Sequence, residues 1–464
     1  MAVLENGTYS DGRPDVPGGV TSPVERVVVV GAGIAGLTVA NALANAGVAC
    51  VVVEARDRVG GRLHTIDLAG CPVDMGGSWI HHPIGNPLRA FADQVGVGCR
   101  DGDPLPEMAA FDLAEGRRLS LAEVRGEVST LYEAFPAALD RLRRELGPDA
   151  SAAEGIDAFV DGAGLPPAAA RRARQGLRAI IEGESADLAE RQSLRWMWNE
   201  FEYEGGFFGD LPSGGYRSLV QAMADGADVR LNFDVAEIAV GPDGVNVRSA
   251  TGPSEDGSHV VVTVPLGVLK DRRPKFSPAL PRDRVAAIDR LGFGRFEKVV
   301  LTFDEAFWRA AGLPHLMLFP RDPDESTMWM IGLDAFGDGP ALVFFIFHGM
   351  AGRVLEMTPD DAAEWVCGML AEAVGAACPE PTAVAVTSWS TDPYSLGAYS
   401  HIPPGAAPAD ADLLGEPLHG RLLFAGEHTQ SARLVYADGA MASGIREAKR
   451  LLQRVNVNLG PIAG

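Results

Sequence analysis

The stretch VVVVGAGIAGL, residues 27–37, running on through TVANALANAGVACVVVE, residues 38–54, decides the fold. Residues 26–30 are a β-branched run of the kind that forms a strand covered on both faces. Residues 34–46 are helix-forming, Gly47 suits a left-handed helix end, and residues 49–54 resume a buried strand. The unit is βαβ, so the sheet is expected to be parallel. GAGIAG fits GxGxxG at the place its mechanics require, after a strand and opening a helix. Gly31 permits the tight turn, Gly33 lets the backbone approach a diphosphate, and Gly36 lets helix and strand pack closely. Ile34 and Ala35 lie in the same candidate cofactor turn. Glu54 ends the second strand roughly 20 residues on, where a carboxylate would accept hydrogen bonds from a ribose. NAD and FAD share this fingerprint.

The 464-residue chain has room for roughly two or three domains and, with 47% hydrophobic and 22% charged residues, the composition of a globular protein. Its 62 acidic and 40 basic residues give a net charge of −22, which argues against nucleic acid as a partner and would draw cationic small molecules. The 5 cysteines are scattered and form no CxxC pair, so no metal site is expected and a reducing cytoplasm fits them best. No run of about 18 apolar residues suggests a membrane span. Residues 1–24 are rich in Gly, Pro and Asp and read as a disordered arm rather than a signal peptide.

Further along, residues 120–204 carry apolar residues at helical spacing and predict a mostly helical insertion. DVRLNF, VAEIAV, GVNVRS and HVVVTVP, between residues 228 and 265, are expected strands. KVVLTF, TMWMIGL and ALVFFIF are strands of a second, mixed block in which PDDAAEWVCGMLAEAV is a helix with Pro359 in its first turn. RLLFAGEHT is a short buried strand, and residues 436–455 form a final helix. Lys298 is the odd residue in this pattern, because it sits in KVVLTF between two apolar faces: Phe296, Val300 and Thr302 on one side, Val299, Leu301 and Phe303 on the other. A buried ammonium needs partners.

EARDRVGGR, residues 54–62, adds Gly61 for a second close backbone approach and Arg62 as a charge-assisted donor for a diphosphate. With these residues the opening resembles the FAD-binding start of the flavin amine oxidase family, which includes monoamine oxidases, polyamine oxidases and histone lysine demethylases. DMGGSWIHH (74–82), LPSGGY (211–216), VVVTVPLGVLK (260–270), FSPALP (276–281), LGFGRFEKVVLTF (291–303), WSTDPYSLGAYS (389–400) and FAGEHT with YADGAMASGIREA (424–448) follow in the family's order. The resemblance spans residues 26–452 and, in WIH with GNP (79–87), is closest to polyamine oxidases.

That resemblance implies an α/β fold of amine oxidase type, with a Rossmann-like FAD-binding domain interleaved with an α+β substrate domain. Residues 25–106, 207–290 and 404–457 are assigned to the first, 107–206 and 291–403 to the second. It implies FAD contacts from Gly31, Gly33, Ile34, Ala35, Gly36, Glu54, Ala55, Arg56, Gly61, Arg62, Gly76, Gly77, Ser78, Trp79, Val235, Trp389, Gly426, Glu427, Ala437 and Ala440, with amides around Gly439, Ala440 and Met441 facing the flavin pyrimidine. Lys298 falls where polyamine oxidases and demethylases direct a lysine at flavin N5 through a water. Tyr399 and Tyr436 match the two aromatic positions flanking the amine, with Trp79, His81 and Phe344 as further substrate contacts. Ala398 stands where monoamine oxidases carry the cysteine that attaches flavin covalently, which implies FAD held without a bond. Trp79 replaces the arginine of amino-acid oxidases.

The expected reaction is oxidation of a primary or secondary amine to an imine by hydride transfer to the flavin, with dioxygen reduced to peroxide and the imine hydrolysed to an aldehyde or ketone. Desaturation of a non-amine substrate and a non-catalytic flavin-binding role are the alternatives. Histone demethylation is disfavoured by the missing accessory domain and helical hairpin, and membrane attachment by the missing C-terminal helix. Glu182, Glu184, Glu202 and Glu204 are expected on a solvated helix face that attracts cations. His81 and His82 leave two readings open, a histidine that holds a second amine beside the substrate or a solvated turn residue, and Trp196, Trp198, Phe207, Trp329 and Phe344 are candidate pocket walls. Nothing in the residues decides which amine is taken or whether the protein is a monomer or a homodimer.

Overall fold

The computed structural model describes residues 22–126, 130–198 and 203–455. The expected N-terminal arm lies outside this range except for Ser22 to Val24, as does Glu202.

The opening strand Arg26–Val30 lies at the centre of a five-stranded parallel sheet. Its order is Leu422–Phe424, His259–Val262, Arg26–Val30, Ala49–Val53, Val229–Arg230. Sequentially distant segments thus meet because two-sided apolar runs need cover on both faces: Val27, Val29 and Val52 pack on helices, and Val28, Val30, Val51 and Val53 on the strands Val235–Val240 and Val245–Ser249. On one face helix Ile34–Asn45 packs against the final helix Ala437–Leu452, so closely that a Cβ on Gly444 would lie 2.6 Å from Ala35 O. Gly47 ends the first helix at φ 72°, as its sequence position predicts.

DVRLNF contributes only Val229–Arg230 to the ladder. Asn232 adopts φ 58°, and the amides of Asn232 and Phe233 turn to Arg56 O (2.9 Å) and Glu54 O (2.8 Å), docking at the end of the second strand instead of extending the first sheet.

The second sheet has seven strands, in the order Ala383–Val386, Glu297–Thr302, Ala341–Ile346, Met328–Gly332, His315–Phe319, Met108–Asp112, Arg117–Arg118. All neighbours are antiparallel except His315–Phe319 with Met108–Asp112. Those two strands were not expected, since HLMLF and MAAFD are short apolar runs without alternation that pattern alone cannot separate from buried helix. Val299, Leu301, Leu342, Phe344 and Ile346 form one face, covered by helix Pro359–Val374 through Ala362, Val366 and Leu370. That helix begins at a Thr358–Asp361 capping box and ends at Gly375 with φ 76°. Val300, Val343, Phe345 and Met317 form the other face, which meets Cys71, Val73 and Met75 beside the first sheet. The insertion is helical as expected, with Thr130–Leu146, Ala152–Gly162 and Pro167–Ser185 packed around Phe135, Ile156 and Leu177. No helix among the described residues is long and apolar enough to cross a membrane.

Candidate functional site

The three glycines of GAGIAG meet three different surroundings. Gly31 adopts φ 105°, and a Cβ on Gly36 would lie 2.0 Å from Gly31 O and 3.1 Å from a Val29 methyl, so both are fixed by the fold. Gly33 is extended (φ −76°, ψ −179°), caps the helix without a side chain, and would have no atom within 4 Å of an added Cβ. Gly61 approaches it from the facing loop, its would-be Cβ 3.5 Å from Gly33 Cα. The uncapped amides of Ile34, Ala35 and Gly36 thus open on a space bounded by a second glycine loop, which is what a diphosphate requires.

Glu54, 6% exposed, accepts hydrogen bonds from Ala32 N (2.8 Å) and Arg56 N (2.9 Å), so its carboxylate is aimed by one amide of the glycine turn and one of the turn that follows Ala55. Val235 packs nearby at the edge of the core formed by Val30, Val53 and Phe233. The cradle fits a dinucleotide.

The two arginines are each held by protein partners. Arg56 forks onto both oxygens of Asp392 (2.7 Å each) and lies over the Trp389 and Tyr394 rings at 5.9 and 5.4 Å. Arg62 donates to Ala398 O (2.6 Å) and Glu427 Oε1 (3.1 Å) while keeping 24% of its side chain exposed. Glu427, expected to touch cofactor, is buried and accepts from Arg62, Ser400 and Val435 N, and these cationic and hydroxyl partners hold its carboxyl below the usual range. Gly426 precedes it at φ 136° and donates its amide to Ser443 Oγ (2.8 Å). At the final helix, Ala440 N is bonded to Tyr436 O (3.1 Å). Ala437 opens the helix without a side-chain cap, and Met441 is buried within it.

Lys298 is 4% exposed and does not reach solvent. Its ammonium donates to Asp74 O (2.7 Å), Gly76 O (2.7 Å) and Ser78 Oγ (2.8 Å). Its three donors end on the segment 74–78. Gly76 and Gly77 allow that segment so close, since a Cβ on Gly76 would meet Arg62 O at 1.7 Å and one on Gly77 the Leu63 side chain at 2.9 Å. Burial pushes the Lys298 ammonium down to about 8, partly opposed by Asp74, so it is still charged at neutral pH. Trp389 fastens the same segment through Nε1 to Met75 O (2.9 Å).

Around this lysine runs a continuous series of aromatic rings. Tyr436 meets His81 at 5.4 Å, His81 meets Phe207 at 4.8 Å, Phe207 meets Phe208 at 5.3 Å, and Phe208 meets Trp79 at 5.6 Å. From Trp79 the series continues to Phe345 (5.8 Å), Phe296 (5.4 Å) and Tyr399 (6.2 Å), and Lys298 Nζ lies 5.8 Å from the Phe345 centroid. The two tyrosines expected from separate segments are ends of one wall. Trp329 joins it beside Phe208 at 5.8 Å.

Several expected residues lie elsewhere. Phe344 is wholly buried with Val299 on the opposite face of the sheet; the aromatic paired with Lys298 is Phe345, one residue on, because side chains alternate along a strand. Trp196 packs with Leu266 and Ile402, and Trp198 with Phe135 and Tyr132 inside the helical insertion. Glu182 is no solvated residue: it is buried, bonded to Ser326 Oγ and Ala189 N, and burial pushes its carboxyl up to about 7. Glu184 accepts from Trp198 Nε1, and Glu204 is exposed. Of the two histidines, His82 is no solvated turn residue and His81 is half-buried. His82 is buried, and His81 lies against Phe207 O with burial pushing its imidazole down to about 4, so it is neutral.

Sequence reasoning missed Arg433. Its guanidinium, 1% exposed, pairs with Asp438 (2.7 Å) and lies 3.9 Å from the Tyr436 ring centroid. Asn86 Nδ2 ties that aspartate (3.2 Å) to His81 O (2.8 Å). Opposite charges bracketing a tyrosine at a helix start, as in RLVYAD, were the available signal.

The profile of the flavin containing amine oxidoreductases matches residues 34–452. The chain is 34% identical to Lysine-specific histone demethylase 1 homolog 3 of Oryza sativa subsp. indica over 93% of its own length and 54% of that protein's. It is 33% identical to Protein FLOWERING LOCUS D of Arabidopsis thaliana over 93% and 56%, and 31% identical to Polyamine oxidase 4 of Oryza sativa subsp. japonica over 94% and 90%. It spans about half the length of the first two relatives. A dinucleotide cradle joined through Lys298 to an aromatic wall, with a family match over nearly the whole described chain, gives one conclusion: this protein belongs to the flavin-containing amine oxidoreductase family.

Proposed function

We propose that the protein oxidises a primary or secondary amine to an imine, using non-covalently bound FAD and dioxygen in the cytoplasm. The observation that carries this is the wall joining Tyr399 to Tyr436, with Lys298 reaching from it to the segment that adjoins the nucleotide cradle. FAD, when bound, would supply the hydride acceptor and pass the electron pair to dioxygen to form hydrogen peroxide. The chain's own part is to bind, orient and desolvate. Half-buried rings that desolvate a bound amine disfavour the ammonium and favour the neutral form whose lone pair the oxidation needs. Tyr399 is fixed by its hydroxyl, which donates to Gly183 O, and Tyr436 by Arg433 and His81. Ala398, carrying no nucleophile, leaves the flavin unattached there.

The test is anaerobic addition of an amine panel to the purified yellow protein. Bleaching of flavin absorbance by at least one amine is expected, and no bleaching by any would discard the proposal. Acid precipitation should leave the flavin in the supernatant; yellow pellets would disprove non-covalent binding. Tyr399→Ala and Tyr436→Ala should each slow anaerobic reduction by roughly tenfold or more through lost near-attack geometry. Wild-type rates in both, with flavin content intact, would remove the two rings from the site.

A further inference from the structure

We propose that Arg433 sets the substrate class: stacked on Tyr436, it makes the aromatic wall reject polycationic amines and accept amines whose only basic nitrogen is the one oxidised. This deepens the amine-oxidase proposal and rests on it. The guanidinium is fixed. Asp438 holds Nε at 3.0 Å and Nη2 at 2.7 Å, and Tyr203 flanks it at 5.2 Å. A ring face attracts a cation through its quadrupole. Tyr436 already makes that interaction with Arg433, and a cation on one face withdraws the negative potential that a second would seek on the other.

The rest of the wall is equally unsuited to extra ammonium groups. Lys298 adds a charged ammonium whose partners are two carbonyls and a hydroxyl. His81 is neutral, with Nδ1 engaged by Phe207 O. Trp329 Nε1 is buried without an acceptor among the described residues, and an indole N–H cannot accept from an ammonium. Of the nearby carboxylates, Asp438 is paired with Arg433, Glu184 receives Trp198, and Glu182 is bonded to Ser326 and pushed toward neutrality. An inner ammonium of a polyamine lying against Tyr436 would be desolvated beside the Arg433 guanidinium, whose carboxylate Asp438 is already engaged. An apolar or aryl body meets no such cost. The negative net charge draws amines of both kinds to the protein, so selection falls to the wall.

The experiment uses flavin-loaded enzyme with 2-phenylethylamine and spermidine as reductants. Benzyltrimethylammonium and its uncharged carbon isostere, neopentylbenzene, serve as non-reacting probes read by perturbation of the flavin spectrum. Wild type is expected to be reduced at least tenfold more efficiently by 2-phenylethylamine and to bind the uncharged probe at least tenfold more tightly. Arg433→Met combined with Asp438→Asn removes the buried pair as a unit, and should shift both ratios about tenfold toward the cation; Arg433→Lys, which keeps the charge, should shift them less. A merely structural arginine would change rates for both amines alike and leave the ratios unmoved, which would overturn the proposal. Preference of the wild type for spermidine or the cationic probe would also overturn it while leaving amine oxidation standing, whereas reduction by neither amine nor any other would overturn amine oxidation itself. If the double variant fails to hold flavin, the wild-type probe ratio decides.

Discussion

Exchange of Lys298 for methionine is expected to destabilise the protein by about 3 kcal/mol and to lower flavin retention with it. Methionine preserves most of the stem volume, so the core should accept it. What it cannot do is donate to Asp74 O, Gly76 O and Ser78 Oγ, three acceptors that a single ammonium now satisfies. A buried acceptor left without its donor costs about 1–3 kcal/mol, and water entering the gap recovers part of the total. The segment 74–78 would lose the strut that binds it to the seven-stranded sheet, and the loss should be read in the urea midpoint at pH 7 and in flavin content after gel filtration. A variant with wild-type midpoint and full flavin would show that the lysine is not the fastener its geometry describes. Loss of flavin with an unchanged midpoint would place its role at the cofactor alone.

Alanine at Gly36 and alanine at Gly33 should fail in different ways. At Gly36 the new Cβ would lie 2.0 Å from a backbone oxygen of the turn, so strand and helix must separate; instability of the whole domain and loss of flavin are expected together. At Gly33 the backbone is extended and the Cβ would meet nothing within 4 Å, so the apoprotein should keep its wild-type melting temperature. The methyl group would instead occupy the space before the uncapped helix amides, and flavin affinity should fall by at least about tenfold. Full flavin binding by Gly33→Ala would move the diphosphate away from this turn. A Gly36→Ala protein as stable as wild type would show that the turn can relax.

Much of the fold was legible because its signals are local. The run Val27–Val30, the glycines after it and the carboxylate at Glu54 each state a backbone requirement within a few residues. Thr358, Pro359 and Gly375 likewise mark the start and end of one helix. The strands HLMLF and MAAFD were not legible, since nothing local says that Met108–Asp112 will run parallel to a strand some two hundred residues away. DVRLNF reads as a strand until the end of the second strand offers Asn232 and Phe233 other acceptors.

The candidate site divides in the same way. By itself the sequence determined that Lys298 would be buried in a strand with apolar faces, that a dinucleotide turn opens the chain, and which motifs signal an amine-oxidising flavoprotein. Only the tertiary structure decided what the lysine touches, that Phe345 and not Phe344 shares its face, that Glu182 is buried, and that Arg433 lies on Tyr436. The physical reason is one of range. Periodicity and turn chemistry are set by neighbours along the chain, whereas the partner of a buried charge or ring is chosen by whichever distant segment packing brings within hydrogen-bonding reach, and no residue carries that information alone.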